Sequence, residues 1–514
     1  MNIETLPNEV QQYIHNLEQI AQEKNTLEIK YQLLEEKYKL VLFQKFCKKA
    51  ETVTDEQLGL FEEEAPEQPD TTETKEETVT IKSYTRKKTG RKAIDESLPR
   101  QIVMHDISDE EKICACGCSL KCIGEETSEK LNVIPEQIWV EKHVRPKYAC
   151  PSCEGTADEE RPAVKIAPVE KSILPKSIAT PGLLSFILVN KFVDHLPYYR
   201  QEQRFERIGV HISRQDMCNW QIKAMTALDP LFSLLKKHMK SGTVLNMDET
   251  TVQVMNEEGR EDTKKSYMWL CTGGAEGRKV FWYEYKPTRA ASHIHGFIKG
   301  FSGYLQTDGY QAYETAVRNH PDITHVGCFA HARRKFYEAS KGSKNPASPM
   351  EGIKWIKKLY DVEDRVRLTY PDTNDFLMYR RNETEPILSG FKSWLDKKAL
   401  HTAPKSLMGK AVLYTLGQWD KLIAYLDHED LTPDNNISEN AIRPFVVGRK
   451  NWLFSGSPTG AETSSKVYTL VETAKHCNVN LHDYLRIVFE KAPFAETDED
   501  WNKLLPWNFF QADG

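Results

Sequence analysis

The sequence lacks the features of membrane-spanning, secreted and disulfide-bonded proteins. None of its apolar runs approaches the roughly 20 residues that a spanning helix needs. The first residues, MNIETLPNEV, do not have the basic and then apolar layout of a secretory signal. The eleven cysteines are an odd number and form no paired framework. We therefore expect a cytoplasmic protein with reduced cysteines and no membrane partner.

The chain also lacks a net positive charge, which at first argues against a nucleic-acid partner. The formal charge is −6, but residues 51–80 alone hold eleven acids and a single base. Residues 82–100 then hold seven bases against two acids, and the candidate DNA contacts there are Arg86, Lys87, Lys88 and Arg91. A basic stretch beside an acidic one is typical of chains that bind nucleic acid. A solvated, disordered linker over residues 49–92 explains the same composition.

Residues 1–48 carry an apolar side chain at every seventh position. These side chains belong to Leu6, Tyr13, Ile20, Leu27, Leu34 and Val41. The alternate positions of the seam hold Val10, Leu17, Tyr31 and Tyr38, with one polar break at Lys24. Heptads of this kind predict a coiled coil, and self-association as a dimer would bury the stripe. Packing of the helix onto its own chain is the alternative.

The segment 93–160 has the cysteine spacing of a zinc module. Cys114 and Cys116 form one pair, and Cys150 and Cys153 form a second pair in the sequence RPKYACPSC. Four thiolates on two tight turns suit a tetrahedral, structural zinc ion with no open position for a substrate. Cys118 and Cys122 are further candidate ligands, so the first pair is not fixed by spacing. Reduced, buried cysteines are the alternative.

Residues 161–241 have apolar residues at helical spacing and contain the outline of a helix-turn-helix. The outline consists of a helix, a break at Gly209 and a second helix capped by Ser213. Arg214 and Gln215 begin the second helix and would contact DNA in such a motif. Plain helical packing predicts the same pattern.

At 514 residues the chain is too long for one core, and its second half is predicted as a mixed α/β domain. This domain covers residues 242–480, with a helical insertion at about 338–430 and a tail over 481–514. Asp248 is expected to end one strand, and Asp308 to end another before Gly309. Glu439 is expected on a helix that begins near residues 434–436. Three such carboxylates would suit two Mg²⁺ or Mn²⁺ ions.

Several ordered motifs make the chain resemble an insertion sequence 66 family transposase over nearly its whole length. The motifs are LFQKFCKKAETVTDEQLGLFEEE, GEETSEKLNVIPEQIWVEKHVRPKYACPSC, LVNKFVDHLPYYRQEQRFERIGVHISR, MDETTVQV, LQTDGYQAY, GCFAHARRKF and NISENAIRPFVVGRKNWLFSGSPTGA. The resemblance implies a ribonuclease-H-like catalytic fold with an Asp-Asp-Glu triad at Asp248, Asp308 and Glu439. It implies hydrolysis that frees the 3′ ends of a transposon, followed by attack of those ends on target DNA.

The resemblance also implies DNA contacts around the triad. His331 would lie near the scissile phosphate, with a histidine satisfied within the fold as the alternative. Further candidates are Arg333, Arg334, Arg443, Arg449, Lys450 and Trp452, which combine bases with an aromatic ring. Ordinary packing is the alternative for Trp452.

The resemblance also implies partners for the chain. They are double-stranded DNA, as terminal repeats and as target, and two small accessory transposition proteins. A catalytically silent DNA-binding descendant and a ribonuclease-H-like nuclease without strand transfer are the competing functions. The first would have lost one of the three acids; the second would yield only cut DNA.

Overall fold

A computed structural model describes residues 8–46, 138–149, 164–343, 346–370 and 373–511. The chain divides into two compact units, one comprising residues 67–169 and the other comprising residues 1–66 and 170–514. The predicted linker contacts and all four predicted zinc ligands lie outside the described residues. Among the described helices, none is both long and apolar enough to cross a membrane.

The larger unit begins with one long helix, α1 (Asn8–Phe46). The described part of the smaller unit is a short antiparallel pair, β1 (Lys147–Ala149) and β2 (Val164–Ile166). Four helices of the larger unit follow. They are α2 (Pro181–Phe192), α3 (Tyr198–Arg207), α4 (Arg214–Ala227) and α5 (Asp229–Met239).

The predicted break between two helices at Gly209 is confirmed. Gly209 adopts a left-handed conformation with φ 81°, which glycine tolerates without steric cost. The Ser213 side chain accepts a hydrogen bond from the Asp216 amide and caps α4, as the sequence predicted. Helices α2 to α5 share one hydrophobic core with the strands that follow them.

The α/β part combines strands and helices, as the sequence predicted. Its elements are β3 (Val244–Val254), β4 (Lys265–Gly273), β5 (Val280–Lys286), α6 (Ala291–Ile298), β6 (Gly303–Gln306), α7 (Gln311–Val317) and β7 (Ile323–Val326). The strand order is β5-β4-β3-β6-β7. β4 is antiparallel to both of its neighbours, β3 and β5, whereas β3, β6 and β7 are parallel. Nearly every residue of β4 is buried, so both faces of the sheet are covered.

A helical insertion and a helical end complete the chain. The insertion consists of α8 (Phe329–Gly342), α9 (Ala347–Thr369), α10 (Thr373–His401), α11 (Leu407–Gly417) and α12 (Trp419–Ile423). It has a hydrophobic core of its own. The remaining elements are α13 (Asn436–Trp452), β8 (Phe454–Ser455), α14 (Pro458–His476), α15 (Leu481–Lys491) and α16 (Asp498–Lys503). β8 pairs in parallel with β3 and adds a sixth strand to the sheet.

One expected strand boundary is wrong, because β3 does not end at Asp248. The strand continues to Val254, since β4 pairs with it from Asn246 to Gln253. The parallel partner β6 does stop early, with its last pair between Asn246 and Gln306. Asp248 therefore lies beyond the end of one neighbouring strand while remaining inside its own.

Candidate active site

Asp248 and Asp308 lie at the same end of the parallel pair β3–β6. This pair ends where Asn246 lies opposite Gln306, and the Asn246 side-chain amide donates a hydrogen bond of 3.0 Å to Gln306 Oε1. Each aspartate lies two positions after the last residue of its strand that takes part in the pairing between β3 and β6. Because side chains two residues apart on a strand point to the same face, β3 presents Asp248 on the face that carries Asn246. The turn after β6 brings Asp308 to this end of the sheet.

Glu439 reaches the same end of the sheet from the first turn of α13. The Asn435 side-chain amide donates a hydrogen bond of 2.8 Å to the Met247 carbonyl. Asn246 Nδ2 in turn donates to Asn435 Oδ1 at 3.2 Å. These bonds fix the start of α13 against β3, so Glu439, one helical turn after Asn435, lies near Asp248.

The pKa values of two of these acids report how closely the carboxylates are grouped. Burial raises the pKa of Asp248 well above its ordinary value, and the neighbouring charges of Glu249, Asp308 and Glu439 raise it further. Burial also raises the pKa of Glu439 to about 6, although the Arg334 guanidinium opposes the shift. Carboxylates arranged in this way bind either protons or cations. The site therefore has the electrostatics of a cation site.

An arginine that sequence analysis missed ties two acids of the site together. Arg289 forms an ion pair with Glu249, whose side chain is 1% exposed, and Tyr313 donates its hydroxyl hydrogen to the same carboxylate. Arg289 Nη2 lies 3.9 Å from Asp308 Oδ2, and its guanidinium lies 3.7 Å from the centre of the Tyr310 ring. Glu249 was visible in the sequence as the neighbour of Asp248. Arg289, in the loop before α6, had no local signal.

His331 and Cys328 lie on the other side of Glu439. His331 Nδ1 is 3.6 Å from Glu439 Oε1, and Cys328 is the N-cap residue of α8. One ligand atom from each of these three residues lies within 4.8 Å of the others, an arrangement that would accept a metal ion. Cys328 Sγ already accepts a hydrogen bond of 3.3 Å from the Asn435 amide. The first turn of α8 and the first turn of α13 thus meet at Glu439.

The helical insertion contributes Tyr414, on α11, to the surroundings of Asp308. The Tyr414 hydroxyl packs against the backbone of Gly309, the residue after Asp308. The approach is so close that a Cβ atom on Gly309 would lie 2.5 Å from the Tyr414 hydroxyl oxygen. Lys335 Nζ lies 4.6 Å from the centre of the Tyr414 ring. Neither contact was evident from the sequence, because more than 100 residues separate Gly309 from Tyr414.

The predicted basic contacts lie in different settings. Arg334 and Arg443 both lower the pKa of Glu439 by their charge, so both face it. Burial raises the pKa of Tyr360, on α9, and the charge of Arg333 opposes that shift. Arg449 is engaged with β3, where its Nη1 lies 3.3 Å from Thr250 Oγ1 and 3.0 Å from Thr251 Oγ1.

The last two predicted contacts at the end of α13 differ in exposure. Lys450 is exposed to solvent. Trp452 is half-buried and packs edge-on against Phe445, with ring centres 5.4 Å apart. Trp452 thus packs within the fold, as its alternative interpretation expected.

Arg214 and Gln215 are exposed in the first turn of α4. Within the described part of the chain, the Arg214 amide donates a hydrogen bond to Glu202, and Gln215 bonds to Asn219. These contacts are local to α3 and α4 and do not include the acids.

Four family models match successive parts of the chain. Residues 176–463 match the family model described as "Transposase IS66 family". Residues 111–154 match "zinc-finger binding domain of transposase IS66", residues 469–507 match "IS66 C-terminal element", and residues 33–103 match "Transposase C of IS166 homeodomain".

Two proteins of Sinorhizobium fredii are similar to the chain, and both are described as uncharacterized. The protein y4jD is 30% identical over 80% of this chain and 81% of its own length. The protein y4qI is 31% identical over 77% of this chain and 73% of its own length. With the main family model covering more than half of its residues, the chain belongs to the IS66 family of transposases.

Proposed function

We propose that the chain is a DNA transposase whose Asp248, Asp308 and Glu439 form the catalytic centre for phosphodiester hydrolysis and strand transfer. One observation carries the proposal. The three acids come from β3, the turn after β6 and the first turn of α13, and they are close enough that Asp308 and Glu439 both raise the pKa of Asp248. The strand order β5-β4-β3-β6-β7 supports a ribonuclease-H-like fold.

The donor set fits two Mg²⁺ or Mn²⁺ ions. Carboxylate oxygens are the ligands these ions prefer. Among the described residues, the buried Oε1 atom of Glu439 has no hydrogen-bond partner, so its lone pairs are available to coordinate a cation. Asp248, Asp308 and Glu439 would hold the ions, which would supply activation of the attacking oxygen and charge stabilisation at the leaving oxygen.

The surrounding residues would orient the acids and the DNA. Asn435 fixes Glu439 over β3, and Arg289 restrains Glu249 and Asp308. His331, next to Glu439, would face the scissile phosphate. Arg333, Arg334 and Arg443 would neutralise phosphates near the acids.

The remaining parts of the chain would recognise DNA and assemble the complex. We propose that the basic residues at 86–91 and the start of α4 contact double-stranded DNA at the terminal repeats, and that Cys114, Cys116, Cys150 and Cys153 hold a structural Zn²⁺. The exposed heptad stripe of α1 would join two copies. Two small accessory proteins would assist on DNA in the cytoplasm.

The proposal is tested with Asp308→Asn in the full chain. The probe is a duplex containing the DNA that borders its coding sequence, with Mg²⁺ or Mn²⁺ present. We expect cleavage to fall by at least about 1000-fold, because a neutral amide is a poor ligand for a hard cation, while DNA affinity stays within about threefold. Asp322→Asn, an exposed acid outside the site, is the matched control.

Product analysis separates this proposal from its alternatives. A transposase yields joined DNA as well as cut DNA, whereas a nuclease yields only cut DNA. Loss of DNA binding in Asp308→Asn would instead make Asp308 a structural residue. Binding without any cleavage by the unmodified chain and its accessory proteins would favour a silent DNA-binding protein.

A further inference from the structure

The outward face of α13 forms a stripe that leads away from Glu439. Asn440, Arg443, Val447 and Lys450 are all exposed, at spacings of three and four residues that place them on one side of the helix. Glu439 is the one acid in the sequence of α13. The stripe therefore carries two cations, Arg443 and Lys450, and no acid, and it begins next to a proposed catalytic residue.

The stripe ends at a leucine with an unusual backbone. Leu453 has φ 67° and ψ −53°, a conformation that a residue with a side chain rarely adopts. The chain is fixed on both sides of it. The Leu453 amide donates to the Arg449 carbonyl at 2.8 Å, and the next residue, Phe454, pairs with Gln253 of β3. Strain that the fold holds in this way is concentrated at functional sites.

The strained turn directs two apolar side chains into solvent. Leu453 is 65% exposed and Phe454 is 47% exposed, whereas the preceding residue, Trp452, packs inward on Phe445. Two adjacent apolar side chains, which begin three residues after Lys450, are thus exposed instead of packing into the nearby core.

We propose that Leu453 and Phe454 form a wedge that contacts the bases of duplex DNA, while Arg443 and Lys450 contact phosphates of the same duplex. Proteins use leucine and phenylalanine side chains, together with nearby arginine and lysine residues, to unstack and kink DNA. An apolar protein partner would not require a stripe of cations, whereas the phosphate backbone does. The inference rests on the proposed function, since it takes the DNA to lie at Glu439.

The length of α13 gives the wedge a predicted position on the DNA. Glu439 and Leu453 are separated along the helix axis by about 20 Å at 1.5 Å per residue. At 3.4 Å per base pair, the wedge would contact the duplex about six base pairs from the cleaved phosphate.

The test uses the full chain and a duplex containing the DNA that borders its coding sequence. Permanganate oxidises unstacked thymines, so it reports a wedge wherever the duplex carries a thymine. With the unmodified chain we expect enhanced oxidation about six base pairs from the cut. The double variant Leu453→Ala/Phe454→Ala should lose this signal, and its affinity should fall on the order of tenfold.

Three further variants keep the result interpretable. Leu368→Ala removes another exposed leucine, at the end of α9, and should behave as the unmodified chain. Leu453→Gly accepts the positive φ without strain, so it should fold at least as stably and still weaken the signal. Lys450→Ala should retain the unstacking but reduce the salt dependence of binding by about one released counterion.

Unstacking that persists in the double variant would overturn the inference, as would equal affinity of the double variant and the unmodified chain. Neither outcome depends on cleavage, because binding and permanganate reactivity are measured without Mg²⁺ or Mn²⁺. The wedge inference can therefore be wrong while the proposed catalytic centre is right. The catalytic proposal can equally be wrong while the wedge inference is right.

Discussion

Glu439 is expected to destabilise the folded protein at neutral pH when no cation neutralises it. Burial raises its pKa from 4.5 to about 6, and the charges of Asp434 and Asp308 add to the shift. The folded carboxyl group therefore holds its proton more tightly than the unfolded one. The stability that this provides is complete below about pH 4.5 and is lost as the pH rises through about 6. At 1.36 kcal/mol per pKa unit, the loss at pH 7 is about 2 kcal/mol.

Glu439→Gln should therefore raise the free energy of unfolding at pH 7 by about 2 kcal/mol in buffer without Mg²⁺ or Mn²⁺. The difference should be smaller at pH 5, where the folded carboxyl group is mostly protonated. Urea unfolding at both pH values measures it, with the exposed residue Glu258, changed to Gln, as the control. Added Mg²⁺ should stabilise the unmodified chain more than the variant. A variant that is less stable at pH 7 would mean that the Glu439 carboxylate makes essential contacts within the fold.

At the scale of elements, α11 of the helical insertion is expected to support catalysis through its contact with the turn that carries Asp308. The Tyr414 hydroxyl of α11 packs against Gly309, next to Asp308. Tyr414→Phe keeps the ring but removes the hydroxyl, so the turn that carries Asp308 should become less well fixed. We expect cleavage to slow by roughly tenfold with unchanged DNA affinity. Cleavage by Tyr414→Phe at the unmodified rate would mean that the hydroxyl does not position Asp308.

Gly309→Ala tests the same contact by steric means. The added methyl group would lie 2.5 Å from the Tyr414 hydroxyl oxygen, so the two elements must separate. We expect a larger loss of cleavage than for Tyr414→Phe, by about 100-fold, because the displacement moves a proposed metal ligand. The double variant Gly309→Ala/Tyr414→Ala, in which the ring and hydroxyl are removed, should recover part of the lost cleavage. If the double variant is no better than Gly309→Ala, the steric explanation is wrong.

Local pattern was enough to place most helices and strands, because apolar periodicity and capping residues are encoded by near neighbours. Ser213, Gly209 and the helical start near Asn436 are examples. The end of β3 was misjudged because an antiparallel partner, β4, extends the strand beyond its hydrophobic run.

In the candidate site, too, local motifs were predictable from the sequence, whereas contacts between distant parts of the chain were not. Its three acids were found through motifs that lie along the sequence. Arg289 and Tyr414 were missed because each meets the site through contacts between residues far apart in the chain, and no spacing rule encodes such a contact.

For the molecule as a whole, α1 has two faces with different surroundings. One face packs against the insertion of the same chain. Phe43 lies 6.1 Å from Tyr337 between ring centres, and Glu36 Oε2 accepts a hydrogen bond of 3.2 Å from the Leu407 amide. The heptad stripe lies on another face and remains exposed, with Leu27 69% and Tyr31 67% accessible. The intramolecular packing therefore does not use the stripe, and a second copy of α1 would bury it.

Leu27→Glu should convert a dimer into a monomer. A carboxylate in the seam would be desolvated beside its counterpart from the second copy, so the dissociation constant should rise by at least about 100-fold. Light scattering of the full chain measures the solution mass. Ile29→Glu adds the same charge two residues away, at an exposed position outside the stripe, and should leave the mass unchanged. If both variants keep the mass of the unmodified chain, the stripe does not hold copies together. If both dissociate, the added charge on α1, and not its position in the heptad, is responsible.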